Sequence, residues 1–368
     1  MATATIVVCP GDGIGPEVTR EARAVLELCA QRFDVQLRFE VAVIGGCAID
    51  RDGTALPEES IAQARRGDAV LLGAVGGPKW DNPQSTVRPE QALLGLRRGL
   101  ELFANLRPIV AHPALLAAAP LKRELVEGVD IMFVRELTGG IYFGQPSERR
   151  TGPDGRHAVD TVVYNEVEVA RVVRLAFQLA GPRRKKVTQV DKANILATSR
   201  LWREVTHEVA REFPDIACDD VLVDAMAMHL LRRPRDFDVV VTENMFGDIL
   251  TDEASVLTGS LGMLPSASLG DGRNGLGQRR GLYEPIHGSA PDIAGKDVAN
   301  PLGAILSAAM LCEYSLGQPA PARAIEAAVW AVIDRGLRTA DVRQDGCEIV
   351  GCRAMGEAVR AELDRATA

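Results

Sequence analysis

The stretch T-I-V-V-C-P-G-D-G-I-G-P-E, Thr5 to Glu17, reads as a strand that runs into a helix through a glycine-rich turn. Thr5 to Cys9 is a short β-branched apolar run, and Pro16 to Ala30 carries apolar residues at helical spacing. Proline suits the head of a helix, where the first N–H groups have no intrahelical acceptor to lose. The turn itself, Gly11 to Glu17, is not the G-x-G-x-x-G fingerprint. It is either a plain strand-to-helix junction or a place where glycines let a ligand approach the backbone.

The same alternation recurs along the chain. Ala69 to Gly73, Asp130 to Val134, Val187 to Val190 and Asp238 to Val241 are β-rich apolar runs. Between and beyond them, Asn165 to Ala180, Ser199 to Arg211, Asn244 to Leu257, Pro301 to Leu316 and Pro321 to Arg335 have helical period, most of them reading as amphipathic and surface-laid. This is the rhythm of an α/β protein. A length of 368 residues corresponds to about two domains. Two segments break the rhythm. Thr138 to Asp160 holds five glycines, two prolines and a basic pair, then returns through β-prone Thr161 to Tyr164, as an arm or a lid would. Gly270 to Gly281, with five glycines and three arginines, reads as a mobile surface loop.

Composition excludes several function classes. Apolar residues are 46% and charged residues 25%, the balance of an ordinary globule. With 42 basic and 50 acidic residues the net charge is −8, so there is no positive excess to hold a nucleic-acid backbone. No apolar run approaches the ~18 residues of a membrane span, and Met1 to Cys9 lacks the basic and apolar regions of a secretory leader. A cytoplasmic protein is expected. The seven cysteines are scattered and never spaced C-x-x-C, which indicates neither a disulfide framework nor a zinc site. G-x-S-x-G and H-E-x-x-H are absent, and the five histidines show no ligand spacing.

Several residues stand where chemistry is possible. Asp248 and Asp252 lie four apart in a helical stretch, so they share one face. Bare carboxylates there repel; the face is either solvated or turned to a hard divalent cation with oxygen ligands, and Asp224, closing the run Asp220 to Val223, supplies a third. Arg97, Arg107 and Arg135 stand near the ends of apolar stretches, either as structural or snorkelling cations or as forks for a substrate with two carboxylates. Leu93 and Leu94 beside them are either core or the lining of a pocket for a branched alkyl group. Lys192 in D-K-A-N and Tyr142 in G-G-I-Y-F-G are each either structural or, near a metal and other cations, a proton acceptor and its donor. In H-G-S-A-P-D-I-A-G-K, His287 to Lys296, Asp292 suits ribose hydroxyls and disfavours a 2′-phosphate.

Taken in order, G-D-G-I-G-P-E, L-L-G-L-R, N-L-R-P, V-R-E-L-T-G-G-I-Y-F-G, D-K-A-N, V-D-A-M-A-M-H, F-G-D-I-L-T-D, G-S-L-G-M-L-P-S-A-S-L and H-G-S-A-P-D-I-A-G-K resemble the motifs of the β-decarboxylating dehydrogenases, from about Ile6 to Met310. The resemblance implies two α/β domains with a mixed central sheet flanked by helices, not a standard Rossmann domain. The cofactor-side domain would comprise 1–103 and 259–368, and a substrate and dimerisation domain 104–258, with an intersubunit arm at about 138–163. R-P-E-Q-A-L-L-G-L-R, Arg88 to Arg97, is similar to the version found in members acting on isopropylmalate, whereas isocitrate members place serine and asparagine there. The resemblance then implies that Arg97, Arg107 and Arg135 hold the malate carboxylates and that Leu93 and Leu94 cover the isopropyl group. Asp224, Asp248 and Asp252 would bind Mg²⁺ or Mn²⁺, with Asp224 also meeting substrate, and Lys192 and Tyr142 would be catalytic. Lys192 and Asp224 would come from the other subunit of a homodimer with shared active sites. Ile14, Glu90, His287, Gly288, Ser289, Ala290, Asp292, Ile293 and Asn300 would surround NAD. The competing readings are a sister enzyme acting on D-malate, tartrate or homoisocitrate, and a non-catalytic ligand-binding paralogue.

Overall fold

Every residue from Ala4 to Cys9 is buried in the computed structural model, which describes residues 3–82 and 85–367; Met1 and Ala2 of the amino-terminal segment read above lie outside it. A strand buried on both faces reads as a continuous apolar run, which is why I-V-V-C does not alternate. In chain order the strands are β1 (Ala4–Gly11), β2 (Leu37–Val41), β3 (Ala69–Ala74), β4 (Leu102–Val110), β5 (Asp130–Glu136), β6 (Glu148–Gly152), β7 (Gly155–Val159), β8 (Lys186–Asp191), β9 (Ala217–Leu222), β10 (Val239–Thr242), β11 (Pro265–Arg273) and β12 (Arg279–Pro285). The chain falls into two compact units: 1–102, 111–123 and 255–368 form the first, 103–110 and 124–254 the second. The segment 111–123 therefore groups with the first unit.

In the first unit the strand order is β2-β1-β3-β12-β11, parallel except for β11, which pairs antiparallel with β12. The helix Gly15–Arg32 has proline in its first turn and buries Val18, Ala22, Val25, Leu26 and Cys29, one stripe at 3.6-residue period. It packs on the helices Leu302–Tyr314 and Cys352–Thr367. Leu302–Tyr314 corrects the expectation of surface-laid helices: every residue from Leu302 to Cys312 is buried. L-G-A-I-L-S-A-A-M-L-C carries no charge on any face, so it has no side to turn to water.

Gly270 to Gly281 is not a loop throughout but the end of a β11–β12 hairpin. Asn274, buried at the turn, explains the difference. Its Oδ1 accepts from the N–H groups of Leu276 and Gln278, and its Nδ2 donates to the carbonyls of Asp68 and Ser315. Asparagine mimics a backbone turn in this way, and the glycines supply the conformations around it.

In the second unit the order is β4-β5-β10-β8-β9, with β4 antiparallel to β5 and the rest parallel. The helix Glu166–Ala180 opens with a capping box in which Asn165 and Glu168 bond each other's backbone N–H. It packs on the helix Ala197–Ala210. Thr138 to Asp160 contains a short 3₁₀ turn, Gly140–Tyr142, and the β6–β7 hairpin, paired antiparallel as a separate two-stranded sheet. Thr161 to Tyr164 forms no strand; the chain runs there as coil into the cap of the next helix. Among the described residues, no helix is long and apolar enough to cross a membrane.

Phe177, fully buried in Glu166–Ala180, stacks on Phe213 with ring centroids 5.2 Å apart. Replacing it with alanine should cost about 3 to 5 kcal/mol, because the site collapses only partly around the cavity. A lowered urea midpoint checks this, and an unchanged midpoint would show that the ring does not hold the helix down.

Candidate functional site

The second unit gathers its charges at the sheet end where β4, β5 and β10 meet the helix Asn244–Ser255. Arg107 on β4 and Arg135 on β5 are 6% and 3% exposed, far too buried to be snorkelling cations. Arg107 donates from Nε to Asn105 Oδ1 at 2.6 Å and from Nη1 to Thr251 Oγ1 at 2.6 Å, and its guanidinium stands 3.6 Å from both Asp248 and Asp252. Arg135 donates to Asn244 Oδ1 from Nε at 3.1 Å and Nη2 at 2.8 Å, and pairs with Asp248 through Nη1. Tyr142 donates to the other oxygen of Asp248 at 3.0 Å. Its ring lies under the Arg135 guanidinium, 5.8 Å from carbon to centroid. Burial, followed by the neighbouring Asp248 carboxylate, pushes the Tyr142 phenol above its ordinary range.

Asp248 and Asp252 do share a helix face, and the arginines beside them offset their repulsion. Burial nonetheless holds the Asp252 carboxyl above the usual range, since Arg107 compensates only part of the lost hydration. The two carboxylates and Asp224 are all hard oxygen donors, the set that suits Mg²⁺ or Mn²⁺. Asp224 sits in the first turn of the helix Val223–Arg232 and accepts from Lys192 Nζ at 2.6 Å, which holds its carboxyl below the usual range. Within one chain the three aspartates do not form a cluster. Among the described residues the one trio of acidic, thiol or imidazole ligand atoms mutually within 4.8 Å is Glu17, Asp297 and Cys352. There Asp297 takes the N–H of Arg353 and Glu17 that of Gly295, so both carboxylates serve the local backbone.

The first unit carries the remaining residues. Glu90, Leu93, Leu94 and Arg97 lie on one side of the helix Glu90–Gly99. Glu90 is exposed, Leu93 and Leu94 are half-buried, and Leu93 also packs on the core. Arg97 pairs with Glu284 on β12 at 2.9 Å, both side chains at most 10% exposed. Its Nε is buried with no hydrogen-bond partner, an orphaned donor that an anionic ligand would satisfy.

Asp12, to which the sequence assigned no role, organises the glycine-rich turn. It is 5% exposed and accepts three backbone N–H groups, from Gly46 at 2.7 Å, Cys47 at 2.8 Å and Gly76 at 2.9 Å. Next to it Ile14 N–H donates to the Ser289 carbonyl at 2.8 Å, and a Cβ on Gly13 would stand 1.9 Å from that oxygen. Glycine is therefore required at 13 so that the turn can touch the His287 loop. In that loop His287 Nδ1 meets the Gly288 carbonyl at 2.9 Å, while Nε2 is buried without a partner, and burial holds the ring below its usual range. Nothing would obstruct a Cβ at Gly288, Asp292 is exposed, and Ala290 and Ile293 are partly covered. An orphaned imidazole nitrogen beside open backbone and an exposed carboxylate fits a dinucleotide. Asn300 fits less directly: it is buried, and its amide already bonds Asp341 and the Leu302 N–H.

The chain thus has two α/β units, with buried arginines beside a carboxylate pair in the second and an open glycine-punctuated loop in the first. Residues 5–359 match the family model described as isocitrate/isopropylmalate dehydrogenase, and the chain belongs to that family, whose members are decarboxylating oxidoreductases. It is 60% identical over 339 residues to a 3-isopropylmalate dehydrogenase of Anaeromyxobacter dehalogenans, covering 92% of this chain and 94% of the relative. A 3-isopropylmalate dehydrogenase of Geobacillus kaustophilus is 56% identical over 363 residues, with coverage of 99% and 96%. Among solved structures, an isocitrate dehydrogenase from Methylococcus capsulatus superposes with TM-score 0.84 at 35% identity, covering 98% of this chain and 99% of that one. A β-decarboxylating dehydrogenase from Thermococcus kodakarensis gives 0.77 at 36%, with coverage of 98% and 96%.

The Arg97–Glu284 pair generates a test of the site's electrostatics. Glu284→Gln should destabilise the chain by about 3 to 5 kcal/mol, because it leaves a buried guanidinium without its counter-charge, whereas the double change Arg97→Met with Glu284→Leu should cost much less. Urea midpoints of the two variants decide it. Equal losses would mean that the pair's shape, not its charge, is what the fold needs.

Proposed function

We propose that this chain oxidises and decarboxylates (2R,3S)-3-isopropylmalate to 4-methyl-2-oxopentanoate and CO₂ in leucine biosynthesis, using NAD and Mg²⁺ or Mn²⁺. The observation that carries the reading is the buried pair Arg107 and Arg135 converging on Asp248 beside Tyr142, in a chain more than half identical to enzymes of that name. When bound, the metal would polarise the substrate hydroxyl and stabilise charge on the decarboxylating product, and NAD would accept the hydride.

Everything else falls to the chain. Arg107, Arg135 and Arg97 grip the carboxylates through forked hydrogen bonds, with the orphaned Nε of Arg97 as one donor. Leu93 and Leu94 cover the isopropyl group, where a hydroxyl or carboxylate would be left unpaired. Lys192 removes the hydroxyl proton, and Tyr142 returns a proton to the product carbon. Asp248, Asp252 and Asp224 would hold the metal. Asp224 and Lys192 pair with each other and do not join the other carboxylates in one chain, so we assign them to the site of a second copy in a homodimer. Ile14, Glu90 and the His287 to Ile293 loop hold NAD, and Asp292 excludes a 2′-phosphate. In this reading the first unit is the cofactor side, the second carries substrate and dimer contacts, the β6–β7 hairpin is the intersubunit arm, and the protein works in the cytoplasm.

The test is NADH formation by the purified protein with Mg²⁺, comparing 3-isopropylmalate, D-malate, isocitrate and homoisocitrate. Isopropylmalate should dominate; preference for another acid would overturn the substrate, and silence with all four would overturn the reading. In the same assay Lys192→Ala should lower turnover by about 10²- to 10⁴-fold, the usual worth of a positioned proton acceptor, with substrate binding largely kept. Near-native turnover would remove Lys192 from the chemistry.

A further inference from the structure

Asn244 opens the helix Asn244–Ser255, four residues before Asp248, and is 1% exposed. Its side chain is used at both ends. Oδ1 accepts two hydrogen bonds from the Arg135 guanidinium, and Nδ2 donates to the Gly139 carbonyl at 3.2 Å. Gly139 caps the 3₁₀ turn that carries Tyr142. Tyr142 bonds Asp248, which pairs with Arg135, so the contacts close into a ring: Asn244, Arg135, Asp248, Tyr142, and back through the turn to Asn244.

The surroundings fix this amide from behind. Its backbone N–H donates to the Tyr164 hydroxyl at 3.0 Å, and that hydroxyl donates to Glu243 Oε2 at 3.1 Å. The Tyr164 ring forms the floor beneath the turn. A Cβ on Gly140, whose φ is +74°, would stand 2.4 Å from the Tyr164 oxygen, and one on Gly139 would stand 2.6 Å from the ring. Gly139 N–H in turn donates to the buried Glu136 carboxylate at 2.9 Å. A carboxamide offers an acceptor to a guanidinium and a donor to a carbonyl from one short planar group, whereas an ionised carboxylate offers acceptors alone.

We propose that Asn244 is a positioning residue that couples the orientation of Arg135, the carboxylate anchor, to the placement of the turn bearing Tyr142, the proton donor. The inference rests on the reading of those two residues given above. It makes binding and turnover separable by chemistry at one position. Asn244→Asp keeps an oxygen for Arg135 but faces the Gly139 carbonyl with a second oxygen that cannot donate. Asn244→Ala removes both contacts, and Asn244→Gln restores both polar atoms on a longer stem.

The experiment measures kcat and KM for 3-isopropylmalate with NAD and Mg²⁺, and its calorimetric affinity with Mg²⁺ but without NAD, in the intact enzyme and the three variants. Asn244→Asp should hold affinity and KM within about threefold of native while kcat falls about tenfold or more, the loss of one buried hydrogen bond. Asn244→Ala should also weaken KM and affinity by about tenfold or more, since a bond to a charged group is lost as well. Asn244→Gln should recover part of both. A loss of affinity in Asn244→Asp that matches its loss of kcat, or native values in either Asn244→Asp or Asn244→Ala, would overturn the proposal. If Asn244→Asp does not fold, the Ala and Gln pair decides, with no recovery in Gln counting against it. Native enzyme inactive on every acid tested would instead overturn the functional reading, so the two failures are distinct.

Discussion

A guanidinium taken out of water at 3% exposure is the constraint around which the second unit is arranged. Moving such a charge into the interior costs several kcal/mol, and only good hydrogen-bond geometry repays it. Arg135 meets that requirement with the Asn244 amide and the Asp248 carboxylate, both supplied by the first turns of one helix at the end of β10. The parallel pairing of β5 with β10, which sets Thr242 opposite Arg135, brings that helix to the arginine. A slip of one residue would turn Arg135 to the other face of the sheet and away from both the Asn244 amide and the Asp248 carboxylate. Gly247 completes the fit, for a Cβ there would stand 2.6 Å from the Arg135 side chain.

The first unit solves a related problem with the opposite charge. Asp12 is a carboxylate buried in a turn, and three backbone N–H groups from two separate segments, Gly46 with Cys47 and Gly76, bond it. Those segments are thereby held together, and Ile14 and Ser289 meet over a glycine that has no side chain to separate them. The result is a cradle of backbone pinned by the Asp12 carboxylate and the Ser289 carbonyl. In both units one buried charge dictates where the neighbouring chain must pass.

This organisation also explains why mutually repelling carboxylates persist at 248 and 252. Asp248 is shared by Arg135, Arg107 and Tyr142, and Arg107 also stands near Asp252, so the local charge is close to balanced. Asp252 remains the less compensated of the two, and burial raises its carboxyl accordingly. A divalent cation placed there would replace compensation that the arginines provide only in part.

Apolar period and turn chemistry are local, so the strands β1, β3, β5, β8 and β10 and the helices between them were legible in the sequence, as was the shared face of Asp248 and Asp252. The ordered motifs likewise carried the family. What the sequence could not show depended on partners far along the chain. Glu284 reaches Arg97 across 187 residues, Asn244 reaches Arg135 across 109, and Asn274 locks the turn of β11 and β12 by bonding Asp68 and Ser315. Gly270 to Gly281 thus reads as a loop by composition and folds as a hairpin by tertiary contact. Leu302 to Cys312 likewise shows its lack of charge in the sequence, but only the packed structure decides that every one of these residues is buried. Sequence determines which residues are able to bury a face, bend a turn or carry a charge, because those properties belong to the residue and its neighbours. Tertiary structure alone decides which buried charge meets which partner, because that energy depends on distances no local pattern contains.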